Sequence, residues 1–339
     1  MIKIPCHIIP DDTRYAFAVG KIRALETRLL DNSFISRLIK AGETEEMLKI
    51  LMDSEYNFSL NETGEAPFES MIDKELHRIY MLIGSIDPEP EWTDLWRWRY
   101  DAHNLKVLLK VGLTDEKALE HCVPLGIIDP KLLLQQLQQA DYSQLPVSFK
   151  EVIDEILSDK DKEQLQDGFE IDFLIDRALF EYLAQETRRS KNEFMINLAT
   201  MMIDLTNLRT FLRMKQIKIP GNIFSRSFIP GGWIKEKAFF PQEEKSPYEI
   251  ALDIIEKTPY TDLKPALDSK NLAVLESAMD NFIIAFLRQT RQRAFGVEPL
   301  IGYMMAKEME TKNLRIIYVC KVNDVDEARI KERLRETYV

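Results

Sequence analysis

Three hexapeptides of one form organise this chain: DAHNLK at residues 101–106, DLTNLR at residues 204–209 and ETKNLR at residues 310–315. Each has an acid, two variable residues, Asn-Leu and then a base. The three asparagines are separated by 103 and 106 residues. An ordinary solenoid repeat has roughly 20–50 residues, so this spacing is too long for one. The pattern predicts three copies of a lobe that contains several helices.

A second marker keeps step with the hexapeptides. Asp73, Asp176 and Asp280 lie 31, 31 and 33 residues before the three asparagines. Each aspartate opens an apolar stretch of helical period: DKELHRIYML, DRALFEYLAQ and DNFIIAFLRQ. Two markers in the same order in three copies predict a threefold internal repeat.

Helical periodicity extends along most of the chain. Tyr15–Leu30 has apolar or aromatic residues at positions 15, 18, 22, 25 and 29, which is one face of a helix. The same period is found in Leu132–Gln139, Val152–Leu157, Ile171–Thr187 and Leu272–Gln289. Strand-like alternation is rare. The sequence therefore predicts an all-α fold with three pseudo-symmetric helical lobes.

The C-terminal part contains one conflict between propensity and repeat. Arg315–Val322, with the sequence RIIYVCKV, is β-branched and aromatic, and its local propensity favours a strand. Its position in the third copy favours a helix, and tertiary context often overrides propensity. We expect a helix here. Asp324, followed three residues later by Glu327, predicts a capping box for a final helix.

Helix breakers set the predicted domain boundaries. Proline and glycine gather after residue 219, in PGN, PGGW and FFPQEEKSP, which is typical of a loop. The predicted segments are an N-terminal extension at 1–14, lobes at 15–113 and 114–219, a linker at 220–247, a third lobe at 248–323 and a C-terminal helix at 324–339.

Composition excludes several classes of function. The formal net charge of -11 and the pI near 5.1 argue against a nucleic-acid partner, which would need a clustered basic face. The longest apolar runs, Phe194–Leu205 and Phe282–Leu287, fall short of the ~20 residues that span a bilayer. The N-terminal residues lack the pattern of a secretory signal. Any association with a membrane is therefore expected to be indirect.

Residues that bind metals or catalyse reactions show no recognisable pattern. The cysteines Cys6, Cys122 and Cys320 are far apart and form no CxxC pair, so neither a disulfide framework nor a zinc site is predicted. His7, His77, His103 and His121 lack metal-ligand spacing. The segment Gly231–Trp233 is expected to be a turn and not a phosphate-binding loop, because no Walker pattern occurs in the chain. We expect no cofactor and no catalytic activity of the isolated chain.

Together these residues resemble the C subunit (the d subunit in eukaryotes) of V/A-type rotary ATPases and ATP synthases. The resemblance lies in Tyr15–Leu30, in the three Asn-Leu-Lys/Arg helices, and above all in the run from Glu298 to Leu334. It covers nearly the whole chain. Residues 1–14 and the turn around Gly231–Trp233 are departures that do not affect the lobes.

The resemblance implies a fold and a function. Three all-α lobes would form a funnel-shaped collar that stands on the membrane rotor ring of c subunits and receives the central shaft, which is built from the D and F subunits. The chain would then be a non-catalytic rotor subunit, peripheral on the cytoplasmic face of the membrane, which couples ATP hydrolysis or synthesis to H⁺ or Na⁺ transport.

The repeated positions are the candidates for partner contact. Asn104, Asn207 and Asn313 either line the funnel or, as we favour, bond to backbone where helices cross within each lobe, because asparagine is a mediocre helix former. The preceding acids Asp101, Asp204 and Glu310 are expected to form ion pairs. Bases that either contact an acidic shaft or face solvent are Lys106, Lys110, Arg209, Arg213 and Arg315, together with Lys215, Lys321, Arg288, Arg291 and Arg293.

An aromatic cluster and two further functions remain to be considered. Trp92, Trp96 and Trp98 are expected in the core of the first lobe rather than at an interface. One alternative function is a helical-repeat module that binds proteins and is unrelated to rotary ATPases. The other is an enzyme whose acidic site has no recognisable motif.

Overall fold

The computed structural model describes residues 12–56, 68–113, 115–161, 168–218 and 221–339. Residues 1–11 of the predicted N-terminal extension lie outside these ranges, with Cys6 and His7. The same holds for Thr114, where the second lobe is predicted to begin, and for residues 219 and 220, where that lobe is predicted to end and the linker to begin.

The fold is all-α, as predicted, and no strand occurs in the described ranges. The α-helices are α1 Ala16–Glu26, α2 Asn32–Lys40, α3 Thr44–Met52, α4 Phe68–Ile86, α5 Pro90–Asp94, α6 Trp98–Val111, α7 Pro130–Gln139, α8 Val147–Asp161, α9 Gly168–Ser190, α10 Glu193–Gln216, α11 Gly221–Ser227, α12 Pro247–Glu256, α13 Lys264–Asp268, α14 Leu272–Leu287, α15 Glu298–Val322 and α16 Glu327–Arg333. Short 3₁₀ helices lie at Thr13–Tyr15, Leu95–Arg97, Glu116–His121, Glu236–Phe239, Thr261–Leu263 and Arg288–Gln292.

The run RIIYVCKV is helical, as its position in the repeat predicts. It forms the last two turns of α15, where Ile317 and Cys320 are buried. Burial against neighbouring helices rewards these side chains whatever their intrinsic preference, so packing decides the conformation.

Two predicted helix ends were wrong. The final helix is capped by Asp326, whose carboxylate accepts from Arg329 N, and not by Asp324, which has the left-handed φ of 52°. The first helix ends at Glu26 instead of Leu30. The reason lies in tertiary structure: the backbone N–H of Leu30 donates to the carboxylate of Glu310 at 2.5 Å, so it is not available to a helical carbonyl.

The chain divides into two compact units. The first contains Met1–Thr93 and Pro265–Val339, and the second contains Asp94–Lys264. In the first unit α15 is central, because α1, α3, α4, α14 and α16 all pack against it. Leu300, Ile301 and Leu314 on α15 are completely buried.

The second unit is organised around α9. Helices α6, α8, α10 and α11 pack against it. Trp98 fills the space between α8 and α9, with its ring 5.8 Å from that of Phe149 and 5.6 Å from that of Tyr182. Trp96 is also fully buried, so these two tryptophans are core residues and not interface residues, as predicted. The predicted lobe was wrong for Trp98, because Phe149 and Tyr182 belong to the predicted second lobe. Trp92 is half-buried.

None of the helices in the described ranges combines the length and the apolar character that a bilayer crossing requires.

Candidate functional site

Each asparagine of the repeated hexapeptides is buried and binds backbone through both of its side-chain atoms. Asn104 Nδ2 donates to the carbonyl of Val123 at 2.9 Å, and Asn104 Oδ1 accepts from Val123 N at 2.8 Å. Asn207 makes the same pair of hydrogen bonds with Ile229, at 2.8 and 3.0 Å. We call this arrangement the asparagine clamp.

The third clamp joins Asn313 to Arg335, with both hydrogen bonds at 2.9 Å. All three therefore make the backbone hydrogen bonds that the sequence predicts. The partner is not a crossing helix, however. In each case it is the second residue after a short helix, which is the 3₁₀ helix Glu116–His121, α11 or α16.

The acid of the first hexapeptide binds the same loop as its asparagine. Asp101 is completely buried, and its two oxygens accept from Ile127 N at 2.7 Å and Ile128 N at 2.9 Å. The prediction of an ion pair was wrong at this position. Backbone N–H groups satisfy the carboxylate instead, as a buried acid requires.

The acid of the second hexapeptide does the same. Asp204 is completely buried and accepts from Trp233 N at 3.1 Å and from Ile234 N at 3.0 Å. The hydroxyl of Tyr260 donates to it at 2.8 Å. The predicted ion pair is again absent from the described contacts. Burial raises the pKa of this carboxyl, and likewise that of Asp101, to about 6.

Glycine allows the two loops to approach the acids closely. A Cβ atom on Gly126 would lie 2.5 Å from Asp101 Oδ1, and one on Gly232 would lie 1.9 Å from Asp204 Oδ1. Both separations are shorter than any real contact of a Cβ atom. These positions therefore require glycine unless the loop moves.

Sequence reasoning missed these loops, although the sequence carries a signal for them. Residues 123–128 read VPLGII and residues 229–234 read IPGGWI, so both have the form Val/Ile-Pro-x-Gly-x-Ile. They begin 19 and 22 residues after the asparagine that binds them. The second lies within the segment predicted to be a linker, where it is held against α10.

The acid of the third hexapeptide has different partners. Glu310 Oε2 accepts from Leu30 N, and Oε1 accepts from the Tyr56 hydroxyl at 2.8 Å and from Lys307 Nζ at 2.7 Å. The expected ion pair is thus present here. Lys307 is 1% exposed, and its ammonium also lies 3.2 Å from Glu75.

The base two residues after the asparagine is paired within the chain in two of the three copies. Lys106 contacts Asp176 at 2.6 Å. Arg315 contacts Asp73 at 3.2 Å. The third base, Arg209, is half-buried and makes no ion pair with the described residues of its own unit.

The pairs of Lys106 and Arg315 use two of the second markers. Asp176 lies on α9 and Asp73 on α4, so two of the three marker aspartates are ion-pair partners of the repeated bases. The third marker, Asp280 on α14, is paired with Lys312 at 2.5 Å and Arg335 at 2.8 Å. All three marker positions are therefore structural in the described contacts.

The remaining basic candidates have contacts of their own. Lys321 donates to the carbonyl of Ile39 at 2.9 Å, and Arg288 donates to that of Thr337 at 3.0 Å. The other positions are Lys110, which contacts Asp172, Lys215 above the ring of Phe211, Arg291 above the ring of Tyr338, Arg213, which is exposed, and Arg293, which is half-buried.

The chemistry of these residues is that of structural support. In the described ranges no group of three His, Cys, Asp or Glu side chains is placed to hold a metal ion. His103 Nε2 lies 3.3 Å from the carbonyl of His121, and Cys122 and Cys320 are free. The clamps fix loops to long helices and place no nucleophile in an open cleft.

Comparison with known proteins gives one family. The sequence pattern of the family described as ATP synthase (C/AC39) subunit matches residues 18–333. The C subunit of the V-type sodium ATPase from Enterococcus hirae is 27% identical over 330 residues, which cover 94% of this chain and 97% of that protein.

Archaeal proteins are similar over the same length. The C subunit of the A-type ATP synthase from Methanocaldococcus jannaschii is 25% identical over 352 residues, with 96% of this chain and 88% of that protein covered. The protein of the same name from Thermococcus gammatolerans is 24% identical over 351 residues, with 97% and 92% covered. The similarity thus includes all three clamped helices.

Proposed function

Because this chain belongs to the ATP synthase (C/AC39) subunit family, we propose that it acts in the central stalk of a V/A-type rotary ATPase, where it joins the D–F shaft to the membrane ring of c subunits. Membership makes the chain a non-catalytic subunit of such a complex. It also removes the two alternatives, an unrelated helical-repeat module and an enzyme with an unrecognised site.

The observation that carries the proposal is the match along residues 18–333, which includes each of the three clamped helices. In the proposed assembly the three lobes form a funnel-shaped collar on the ring. A narrow shaft cannot contact many ring subunits by itself. A collar with several lobes spreads the contact, and simultaneous contacts raise the overall affinity when the geometry permits them.

The proposed subunit turns as part of the rotor and transmits ATP hydrolysis or synthesis to ion transport. One relative is named for a sodium ATPase and others for ATP synthases, so either Na⁺ or H⁺ and either direction fit the family. The ion is chosen by the ring, where it binds. The subunit itself would need no cofactor and would lie on the cytoplasmic face, attached to the membrane through the ring.

Co-purification tests this function. The full chain is mixed with the D–F shaft and, separately, with detergent-solubilised c ring from the same organism, at low and at high salt. Binding to both supports the proposal, and a steep loss with salt assigns part of the affinity to charged residues. Failure of the folded chain to bind either one would refute it. The isolated chain should hydrolyse no ATP.

A further inference from the structure

A strongly basic stretch of the chain lies in the second unit. Residues 209–240 contain seven lysines and arginines and one acid, Glu236, although the whole chain has a formal net charge of -11. Arg226 is used inside the unit, because its guanidinium contacts Glu155 at 2.7 Å and Glu170 at 2.6 Å. Arg209 is half-buried. The other five bases are exposed, and they are Arg213, Lys215, Lys218, Lys235 and Lys237.

A cluster of phenylalanine rings joins the two ends of this stretch. The ring of Phe211 on α10 lies 5.4 Å from that of Phe224 on α11 and 5.1 Å from that of Phe239. Phe224 and Phe239 are 5.0 Å apart, and all three rings are buried. Phe239 belongs to the 3₁₀ helix Glu236–Phe239. The C-terminal part of α10 and this 3₁₀ helix are therefore held against the same rings.

Cations and apolar side chains are exposed at the border of these rings. Lys215 Nζ lies 5.7 Å from the centre of the Phe211 ring. The ring of Phe240 lies 5.9 Å from that of Phe224, and Phe240 is 44% exposed. Ile217 is 49% exposed and follows Lys215 by two residues. We call this surface the basic–aromatic patch, and it consists of Arg213, Lys215, Ile217, Lys218, Lys235, Lys237 and Phe240.

We propose that the basic–aromatic patch binds the surface of a membrane that contains anionic phospholipids. Lysine and arginine are attracted to anionic headgroups, and exposed apolar side chains beside them enter the boundary between headgroups and acyl chains. The apolar stems of the lysines lie along that boundary while their ammonium groups stay in water. Such a contact would add to the attachment through the ring.

The kind of base in the patch favours lipid over an acidic protein. An acidic protein surface would satisfy the positive charge equally well. Interfaces between proteins are enriched in arginine and depleted in lysine, however. Four of the five exposed bases in the patch are lysines. A lipid surface has no such preference, because it attracts each positive charge by about the same amount.

Removal of three lysines tests the charged part of the patch. The full chain is sedimented with vesicles of phosphatidylcholine that contain about one third phosphatidylglycerol, and with vesicles of phosphatidylcholine alone. One base near an anionic surface strengthens binding roughly fivefold, so the variant K215Q/K218Q/K237Q should bind the anionic vesicles about a hundredfold more weakly. Lys235 is kept, because its ammonium donates to the carbonyl of Gly232 at 3.0 Å.

Three other lysines of the same unit give the matched control. Lys117, Lys131 and Lys191 are exposed and lie outside the patch. Lys191 has a left-handed φ of 56°, which matches the φ of 60° at Lys218. The variant K117Q/K131Q/K191Q therefore changes the net charge by the same amount and introduces the same side chain. It should bind the anionic vesicles as the unaltered chain does.

A fourth variant tests the apolar part of the patch. F240S keeps every charge and should weaken binding to the anionic vesicles roughly fivefold, because the exposed part of the ring no longer enters the lipid. If thermal unfolding shows that F240S is destabilised, I217S takes its place, with a similar loss expected. Undiminished binding by folded F240S and by I217S would overturn the inference, because charge alone would then account for the interaction.

The remaining outcomes separate lipid from protein. Loss of vesicle binding in the triple variant but not in its control supports the inference. It is refuted if the unaltered chain does not bind anionic vesicles, binds neutral vesicles equally well, or loses as much binding in the control. Normal vesicle binding by the triple variant with weaker binding to the D–F shaft would assign the patch to an acidic protein, which also refutes it. Absence of binding to shaft and ring refutes the proposed function instead, so the two failures are distinguishable.

Discussion

Replacing Lys307 with methionine is expected to lower the free energy of unfolding by about 3 kcal/mol. Lys307 lies on α15 in the first unit and is 1% exposed. Its ammonium lies 2.7 Å from Glu310 and 3.2 Å from Glu75, and 4.3 Å from the centre of the Tyr56 ring. Methionine has a similar length and no charge, so K307M would leave two buried carboxylates without this counter-ion.

The contacts that remain set the magnitude. Removal of one partner from a buried ion pair costs about 3–5 kcal/mol. Glu75 keeps Arg78, at 2.7 and 2.9 Å, and Glu310 keeps the Leu30 N–H and the Tyr56 hydroxyl. Because these contacts remain, we expect a cost near the lower limit of that range. For a unit of this size, such a loss lowers the unfolding temperature by about 6–12 °C.

Urea unfolding followed by circular dichroism at pH 7 measures the effect. The matched control is K312M, five residues further along the same helix, where the lysine pairs with Asp280 at 2.5 Å but is 46% exposed. A surface pair of this kind is worth about 0–1 kcal/mol, so K312M should cost less than 1 kcal/mol. The difference between the two variants in free energy of unfolding gives the effect of burying the charge, apart from the effect of losing a lysine.

A double mutant tests the mechanism. E310Q removes the charge that K307M leaves behind; its amide oxygen can still accept from Leu30 N, and its NH2 group, in place of Oε1, can donate to the Tyr56 hydroxyl oxygen. K307M with E310Q should therefore be more stable than the sum of the single losses predicts, by at least about 1 kcal/mol. An unfolding free energy of K307M within 1 kcal/mol of the unaltered chain, or strict additivity in the double mutant, would refute the reasoning.

Three further results are expected, each measured by urea unfolding. N207A should cost about 2–4 kcal/mol, because both backbone groups of Ile229 lose their buried partner; a cost below 1 kcal/mol would show that water replaces it. G232A should destabilise the fold through the clash with Asp204, whereas G20A, with open space around its Cβ and a helical backbone, should be neutral or stabilising by up to about 1 kcal/mol. Burial raises the pKa of Asp204 to about 6 from 3.8, so the folded chain keeps this proton between those values and the unfolded chain releases it. The contribution of Asp204 to stability should then fall as pH rises from about 4 to 6, by up to ~1.4 kcal/mol per pH unit, and D204N should show a shallower slope; an unchanged slope would contradict this pKa.

The sequence predicts what depends on local period and propensity. The helical class follows from spacings of three and four, and the backbone hydrogen bonds of the asparagines follow from the poor fit of that residue to a helix. Helix ends were less accurate, since the N–H of Leu30 is taken by Glu310, which lies 280 residues away. The division into three lobes and the funnel remain predictions.

Buried charges were the part that periodicity could not identify. Lys307 lies in the run MMAKEMETKNLR, where it looks like the exposed Lys312. What separates the two is Glu75 on α4, and no pattern in the sequence of α15 specifies a partner that distant. A period tells which residues share a helix face, but the neighbours of that face are set by the tertiary fold.

The third hexapeptide shows why a shared motif does not fix a shared contact. In the first two copies an aspartate reaches two backbone N–H groups of a Val/Ile-Pro-x-Gly-x-Ile loop. Glu310, longer by one methylene, instead accepts from the backbone N–H of Leu30, four residues after the end of α1, and from Tyr56 and Lys307. In each copy this position holds a buried acid that accepts several hydrogen bonds, and the fold supplies different donors to it.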